Sequence, residues 1–172
     1  MKKRGQVWIE TVTYTLIAFM LIGLVLAYAK PKIEELQDKV IIDQSIKMLK
    51  DIDFVSSEVG EGSVGNKRKI QILLKKGSLE LNPLEDLIIF HIQSRYTYSE
   101  PGEGYEDGGI NVLTQTMGKY NNVTLTLNYS GTYNITHNDL ENSKTLSKSS
   151  TPYNLFISNK GGDTVKLDIE ID

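Results

Sequence analysis

The residues of this chain that could do chemistry are few, and their spacing brings none of them into a familiar catalytic pattern. Its two histidines stand apart: His91 lies in the apolar run Leu87-Ile-Ile-Phe-His-Ile-Gln93, and His137 in the turn-like Thr136-His-Asn-Asp139. Neither belongs to an HExxH pair or to another spacing that would aim two imidazoles at one ion, so both read as structural. No GxSxG elbow marks a nucleophile. The chain has no cysteine, which excludes disulfides and thiolate zinc sites. Val59 to Asn66 matches a phosphate-binding loop in glycine content only, since it lacks the GK[ST] ending and follows a helical pattern instead of a strand. Glu100-Pro-Gly-Glu-Gly-Tyr-Glu-Asp107 carries four carboxylates in eight residues. Oxygen donors of that kind suit calcium at an extracellular surface, but the spacing is not that of an EF-hand loop, and a solvated acidic turn is the expectation. These observations point away from an enzyme, a bound cofactor or a metal centre.

Two other sets of polar residues carry more information. Glu10 follows Val7-Trp8-Ile9 and precedes Thr11 to Ala29, nineteen residues without a charge. A carboxylate placed among lipid tails costs about 2.5–3.5 kcal/mol at mid-bilayer and less near the interface. Glu10 therefore either marks the membrane edge or meets a cation. The second set comprises three N-x-[ST] sequons, at Asn122, Asn128 and Asn134. Six residues separate successive asparagines, so strand alternation puts all three on one parity, opposite to Val123, Leu125, Leu127 and Tyr129. In an exported chain that is a glycosylation pattern with a steric rationale, because a glycan can leave only from a wet face.

These residues require elements to hold them. As a helix, Thr11 to Ala29 would be roughly 28 Å long, close to the hydrocarbon thickness of a bilayer. Lys2, Lys3 and Arg4 precede it, which keeps the N-terminus cytoplasmic and sends the body outside. Ala27-Tyr28-Ala29 mimics a secretory cleavage site, but the apolar run is longer than a secretory signal requires. At Lys30-Pro31-Lys32 either one helix ends and another starts, or a single long helix kinks. Ile33, Leu36 and Val40, then Ile42, Ile46, Leu49 and Ile52, recur at spacings of three and four up to about Val59, the pattern of an amphipathic helix. Such a helix serves as a stalk, packs across a sheet, or does both.

Beyond the glycine-rich break the period becomes two. About eight short strands separated by glycine, proline and asparagine turns predict an all-β sandwich or small barrel. The expected fold is α+β: a transmembrane or assembly helix over 6–30, an amphipathic stalk helix over 31–60, and a β-sandwich over 66–172. Leu87 to Ile92, apolar at both parities, reads as a central strand covered by the stalk helix. Tyr98 and Tyr105 flank a loop and are candidates for contacts with other chains.

The stretch Lys3-Arg4-Gly5-Gln6-Val7-Trp8-Ile9-Glu10, with its long apolar continuation, resembles the class III signal sequence of archaeal type IV pilin-like proteins. The resemblance covers residues 1 to about 30. It implies that a prepilin peptidase cuts on the cytoplasmic side between Gly5 and Gln6 (residues 1–5 being the leader), and that the apolar helix remains on the mature protein. Glu10 matches the glutamate thought to pair with the freed amine of a neighbouring subunit within a filament. Trp8 departs from the small or polar residue expected at its position.

Length and charge agree with an exported subunit. The chain has 172 residues, enough for this segment and one domain. Loss of three leader cations would take the formal charge from −3 to −6, which speaks against nucleic acid as a partner. Two readings follow: a subunit of a type IV pilus-like filament whose partners are the membrane, the peptidase and copies of itself or related pilin-like subunits, or a single-span cell-surface module that binds an envelope layer or another surface protein, or serves as an accessory of the archaeal swimming filament.

Overall fold

The computed structural model describes the backbone from Lys3 to Asp172 and side chains from Val7 onward. The processing position, in particular the side chain of Gln6, and the leader side chains lie outside the described residues. One helix, α1 (Lys3–Gly60), passes through Pro31 without a break. Proline lacks the N–H that would bond to the Ala27 carbonyl, so the helix loses one internal bond just where the apolar run gives way to charged residues. The chain divides into two compact units, one ending at Gln37 and the other spanning Asp38–Asp172.

In the first unit the large apolar side chains from Val7 to Tyr28 are 45–74% exposed. The apolar residues here run all round the helix with no polar face, as in a helix that is covered by something other than its own chain.

The second unit contains the rest of α1 and ten strands: β1 (Lys67–Ile72), β2 (Ser78–Asn82), β3 (Leu87–Ser94), β4 (Gly104–Asp107), β5 (Ile110–Met117), β6 (Tyr120–Asn128), β7 (Asn134–Thr136), β8 (Lys144–Ser147), β9 (Tyr153–Asn159) and β10 (Lys166–Ile171). They form two open sheets, ordered β1-β9-β10-β7 and β4-β5-β6-β3-β2-β8. The fold is thus α+β with a two-sheet β domain, not a closed barrel. β7 and β10 run parallel, and the other pairs are antiparallel.

β6 shows why the alternating pattern becomes a strand. Val123, Leu125, Leu127 and Tyr129 are all buried, whereas Thr124 and Thr126 between them are only partly covered. Across eight paired positions β6 meets β3, whose Ile88, Phe90 and Ile92 are buried on the same side. The outer side of β3 is half covered at Leu87 and Ile89 and open at His91 and Gln93. From Asp38 onward α1 lays Ile42, Ile46, Leu49, Ile52 and Val59 into the same apolar cluster as the inward residues of both sheets. Each such side chain contributes about 1.5–3 kcal/mol by leaving water. The amphipathic segment is therefore a core helix of the β domain over this length. Ile33, Leu36 and Val40 share its periodicity but remain 51–64% exposed.

Candidate functional site

The described residues hold one helix long and apolar enough to cross a membrane. Its polar groups are arranged to suit such a setting. The hydroxyls of Thr11, Thr13 and Thr15 donate to the carbonyls of Val7, Ile9 and Thr11 at 2.9, 2.8 and 2.8 Å. Each hydroxyl is satisfied within the helix, so it needs no water among lipid tails. Glu10 lies on the exposed helix surface, one residue before this threonine row. At the other end of the run Lys32 and Glu35 form an exposed ion pair at 2.7 Å.

Within the β unit the helix is held by polar ties that local sequence does not announce. The buried Asp38 carboxylate accepts the backbone N–H of Arg95 at 2.7 Å and the Lys76 ammonium. Tyr98 donates to Asp43 at 2.8 Å, and Lys50 pairs with Asp107 at 2.6 Å. Burial, reinforced by the Asp43 carboxylate, pushes the Tyr98 hydroxyl well above the ordinary tyrosine range. The two tyrosines expected to contact other chains thus differ: Tyr98 braces the helix, and Tyr105 remains 41% exposed.

The C-terminus of α1 is closed by the buried side chain of Asn159, with Asn66 Nδ2 reaching the Glu58 carbonyl at 3.4 Å and the Gly62 N–H the Val59 carbonyl at 3.2 Å. Asn159 Nδ2 lies 3.1, 3.2 and 3.1 Å from the carbonyls of Val59, Gly60 and Gly62, and its Oδ1 accepts the Gly161 N–H at 2.8 Å. The terminal carbonyls of a helix have no partner inside it, and here a residue of β9 supplies one.

A second buried polar centre lies at the β7–β10 pair. Asp168 is fully buried, and its Oδ1 accepts from the Thr136 hydroxyl at 2.9 Å and the Asp139 N–H at 2.6 Å. Its Oδ2 faces the Lys160 ammonium at 3.5 Å, an ionic contact longer than the hydrogen bonds on Oδ1. Lys160 also bonds Asp139 at 2.9 Å. That bond lowers the Asp139 pKa and raises that of Lys160. The backbone at Asn138 and Asp139 adopts φ of 53° and 60°, a left-handed turn that asparagine and aspartate tolerate. These contacts are structural: they bind the His137–Leu140 turn to β10.

The sequence-level candidates separate accordingly. His137 is buried, with Nδ1 donating to the Ile169 carbonyl at 2.8 Å, and His91 is exposed beside Thr124. The acidic run 100–107 includes β4, and its Asp107 is engaged by Lys50. Among the described residues no group of three or more His, Asp or Glu side chains is placed to hold a metal. Asn122 and Asn128 share the outward parity of β6. Asn128 is exposed, and Asn122 is half buried with its amide on the Met117 sulfur. Asn134 lies in the other sheet, half buried, and the hydroxyl of its sequon residue Thr136 is committed to Asp168.

The order of elements, a long N-terminal apolar helix and then a β-sheet domain, agrees with a pilin-like architecture in general. Compared with protein-family models, with curated proteins and with solved structures, the chain matches none.

Proposed function

We propose that this protein is a structural subunit of a type IV pilus-like filament, assembled through its N-terminal helix, with its β domain outside the cell. The observation that carries this reading is the exposure of every large apolar side chain from Val7 to Tyr28, on a helix that continues into the core of a folded domain. Such a surface requires lipid before assembly, and the equivalent surfaces of neighbouring copies afterwards. The leader supports processing by a prepilin peptidase between Gly5 and Gln6. Glu10, one helical turn from the new N-terminus, then lies where an α-amine can meet it, either in the same helix or in a staggered neighbour. The low dielectric of packed helices strengthens that attraction.

Two measurements on native material test the proposal. Intact mass should show loss of Met1 to Gly5, and a mass retaining Met1 or reporting a cut after Ala29 contradicts processing at this bond. Glu10→Gln should leave leader removal and domain stability unchanged while reducing the filaments that pellet after shearing. If that variant yields wild-type filaments, Glu10 does not set subunit register. If wild-type protein stays wholly in washed membranes, the anchored surface module replaces the filament subunit as the better reading.

A further inference from the structure

Of the four edge strands, β1, β7, β4 and β8, the first of each sheet carries charge of opposite sign. β1 is outermost in the four-stranded sheet and bonds only to β9, and β4 is outermost in the six-stranded sheet and bonds only to β5. Each leaves one row of backbone N–H and C=O groups without a strand partner. β1 carries Lys67, Arg68 and Lys69, all exposed. Lys67 reaches Glu170 at 2.7 Å and Arg68 reaches Glu58 at 3.6 Å, both in solvent-accessible pairs, and among the described residues Lys69 forms no ion pair. β4 and its approach carry Glu100, Glu103 and Glu106, also exposed and without an ion pair among the described residues. A groove of about 330 Å³ lies between α1 and the far end of β1, lined by Ile70 to Ile72, the link Leu73 to Lys76 and residues of α1 from Ile41 to Asp51.

Charged edge strands prevent a sheet from pairing indiscriminately. Here the signs do more than that. Two β1 edges brought together would oppose cations to cations, and two β4 edges would oppose glutamates, both unfavourable across a strand pair. Between these two edges only the unlike pairing joins open hydrogen-bonding rows with attraction in place of repulsion, and β1 offers three cations to β4 where the outer strand β8 offers one, Lys144. We infer that β4 of one copy docks along β1 of the next, a docking surface between β domains that is additional to the helices. This inference rests on the filament reading. Because the two edges are different surfaces of one chain, the contact is heterologous and repeats without closing on itself unless the rotation forms a ring, as a filament requires.

The absence of cysteine from the chain makes the test direct. Full-length Lys69→Cys and Glu106→Cys proteins are expressed singly, together in one cell, and as a double variant, then oxidised in their membranes or filaments. The singles should stay monomeric, their co-expression should give a disulfide dimer, and the double variant should give a ladder. Adding Lys67→Glu and Arg68→Glu to the double variant should reduce the ladder about tenfold, and Glu100→Lys with Glu103→Lys should restore it. Dimers from either single variant, or insensitivity of the ladder to charge reversal, overturn the pairing. Pelletable filaments without a ladder refute the edge contact and leave the filament reading standing. A lack of both refutes the two together.

Discussion

Replacing Asn159 tests whether the end of α1 is held by the β domain. Its amide provides the partner for the buried Gly60 carbonyl and a second partner for the Val59 carbonyl, which also accepts the Gly62 N–H at 3.2 Å, and its Oδ1 holds the Gly161 N–H. A buried polar group left without a partner costs about 1–3 kcal/mol. Water can reach Gly62 more easily and Val59 keeps the Gly62 N–H, so one strongly affected carbonyl puts N159A at about 1–3 kcal/mol less stable than the native chain. At roughly 4 °C per kcal/mol this lowers the Tm by about 4–12 °C. N159D keeps the shape but removes the donors and adds negative charge at the negative end of the helix, for a loss of about 3–5 kcal/mol. The carbonyls around it would raise the folded pKa of the new carboxyl above the unfolded value of about 4. The folded state then binds the proton more tightly, so N159D should be most stable below about pH 4 and lose stability as pH rises through its folded pKa. Thermal unfolding of the full chain in detergent, followed by near-ultraviolet circular dichroism, measures both. Hydrogen exchange at the Gly161 amide should accelerate in parallel. An N159A protein melting within about 2 °C of wild type, with Gly161 still protected, would show that the Asn159 amide does not hold the end of α1.

Other expectations follow from the same contacts. Asp38→Ala removes the acceptor of the Arg95 N–H and should cost about 2–3 kcal/mol by denaturant midpoint, and Lys76→Met, which leaves the buried carboxylate without its counter-charge, should cost about 1.5–3 kcal/mol. Tyr98 and Tyr129 both have pKa values raised chiefly by burial, so they should resist ionisation in an alkaline absorbance titration. The folded state retains these protons, so the associated stability is intact below about pH 10 and is lost as pH rises towards the folded values. All nine tyrosines titrating together near pH 10 in a still-folded protein would contradict this. Glycopeptide mapping should find Asn128 the most occupied sequon and Asn134 the least, because the Thr136 hydroxyl is held by Asp168; the reverse order would show attachment before folding.

Local pattern was legible where a residue's surroundings repeat along the chain. The alternation of Val123, Leu125, Leu127 and Tyr129 predicts their burial, and the spacing of Ile42, Ile46, Leu49 and Ile52 predicts a helix face. Ile33, Leu36 and Val40 have the same spacing and remain exposed, because what lies opposite a helix face is set by distant chain. β4 and β8, with sequences GYED and KTLS, carry almost no apolar signal and are ordered by pairing with β5 and β2. Asp168 looks outward in the alternation Leu167-Asp168-Ile169, yet all three are buried, since the Thr136 hydroxyl, the 137–140 turn and Lys160 close over the Asp168 carboxylate. Nothing in Ser158-Asn159-Lys160-Gly161 distinguishes a helix cap from an ordinary turn. The apolar segment and Glu10 were plain in the sequence because a membrane acts on composition alone.

The four-stranded sheet also has a consequence in time. Its first strand is made early, directly after α1, but its only sheet partner begins at Tyr153, and β10 comes last of all. The six-stranded sheet can grow as the chain emerges, through neighbours in sequence such as β2 with β3 and β5 with β6. Pairings between distant segments form late and leave apolar surface open while they wait. A chain that emerges N-terminus first therefore holds β1 and one side of its core helix uncovered until β9 has been delivered. Synthesis that stops before Tyr153 would leave an anchored, half-walled domain with a free strand edge, a form that a quality-control protease can tell from the finished subunit.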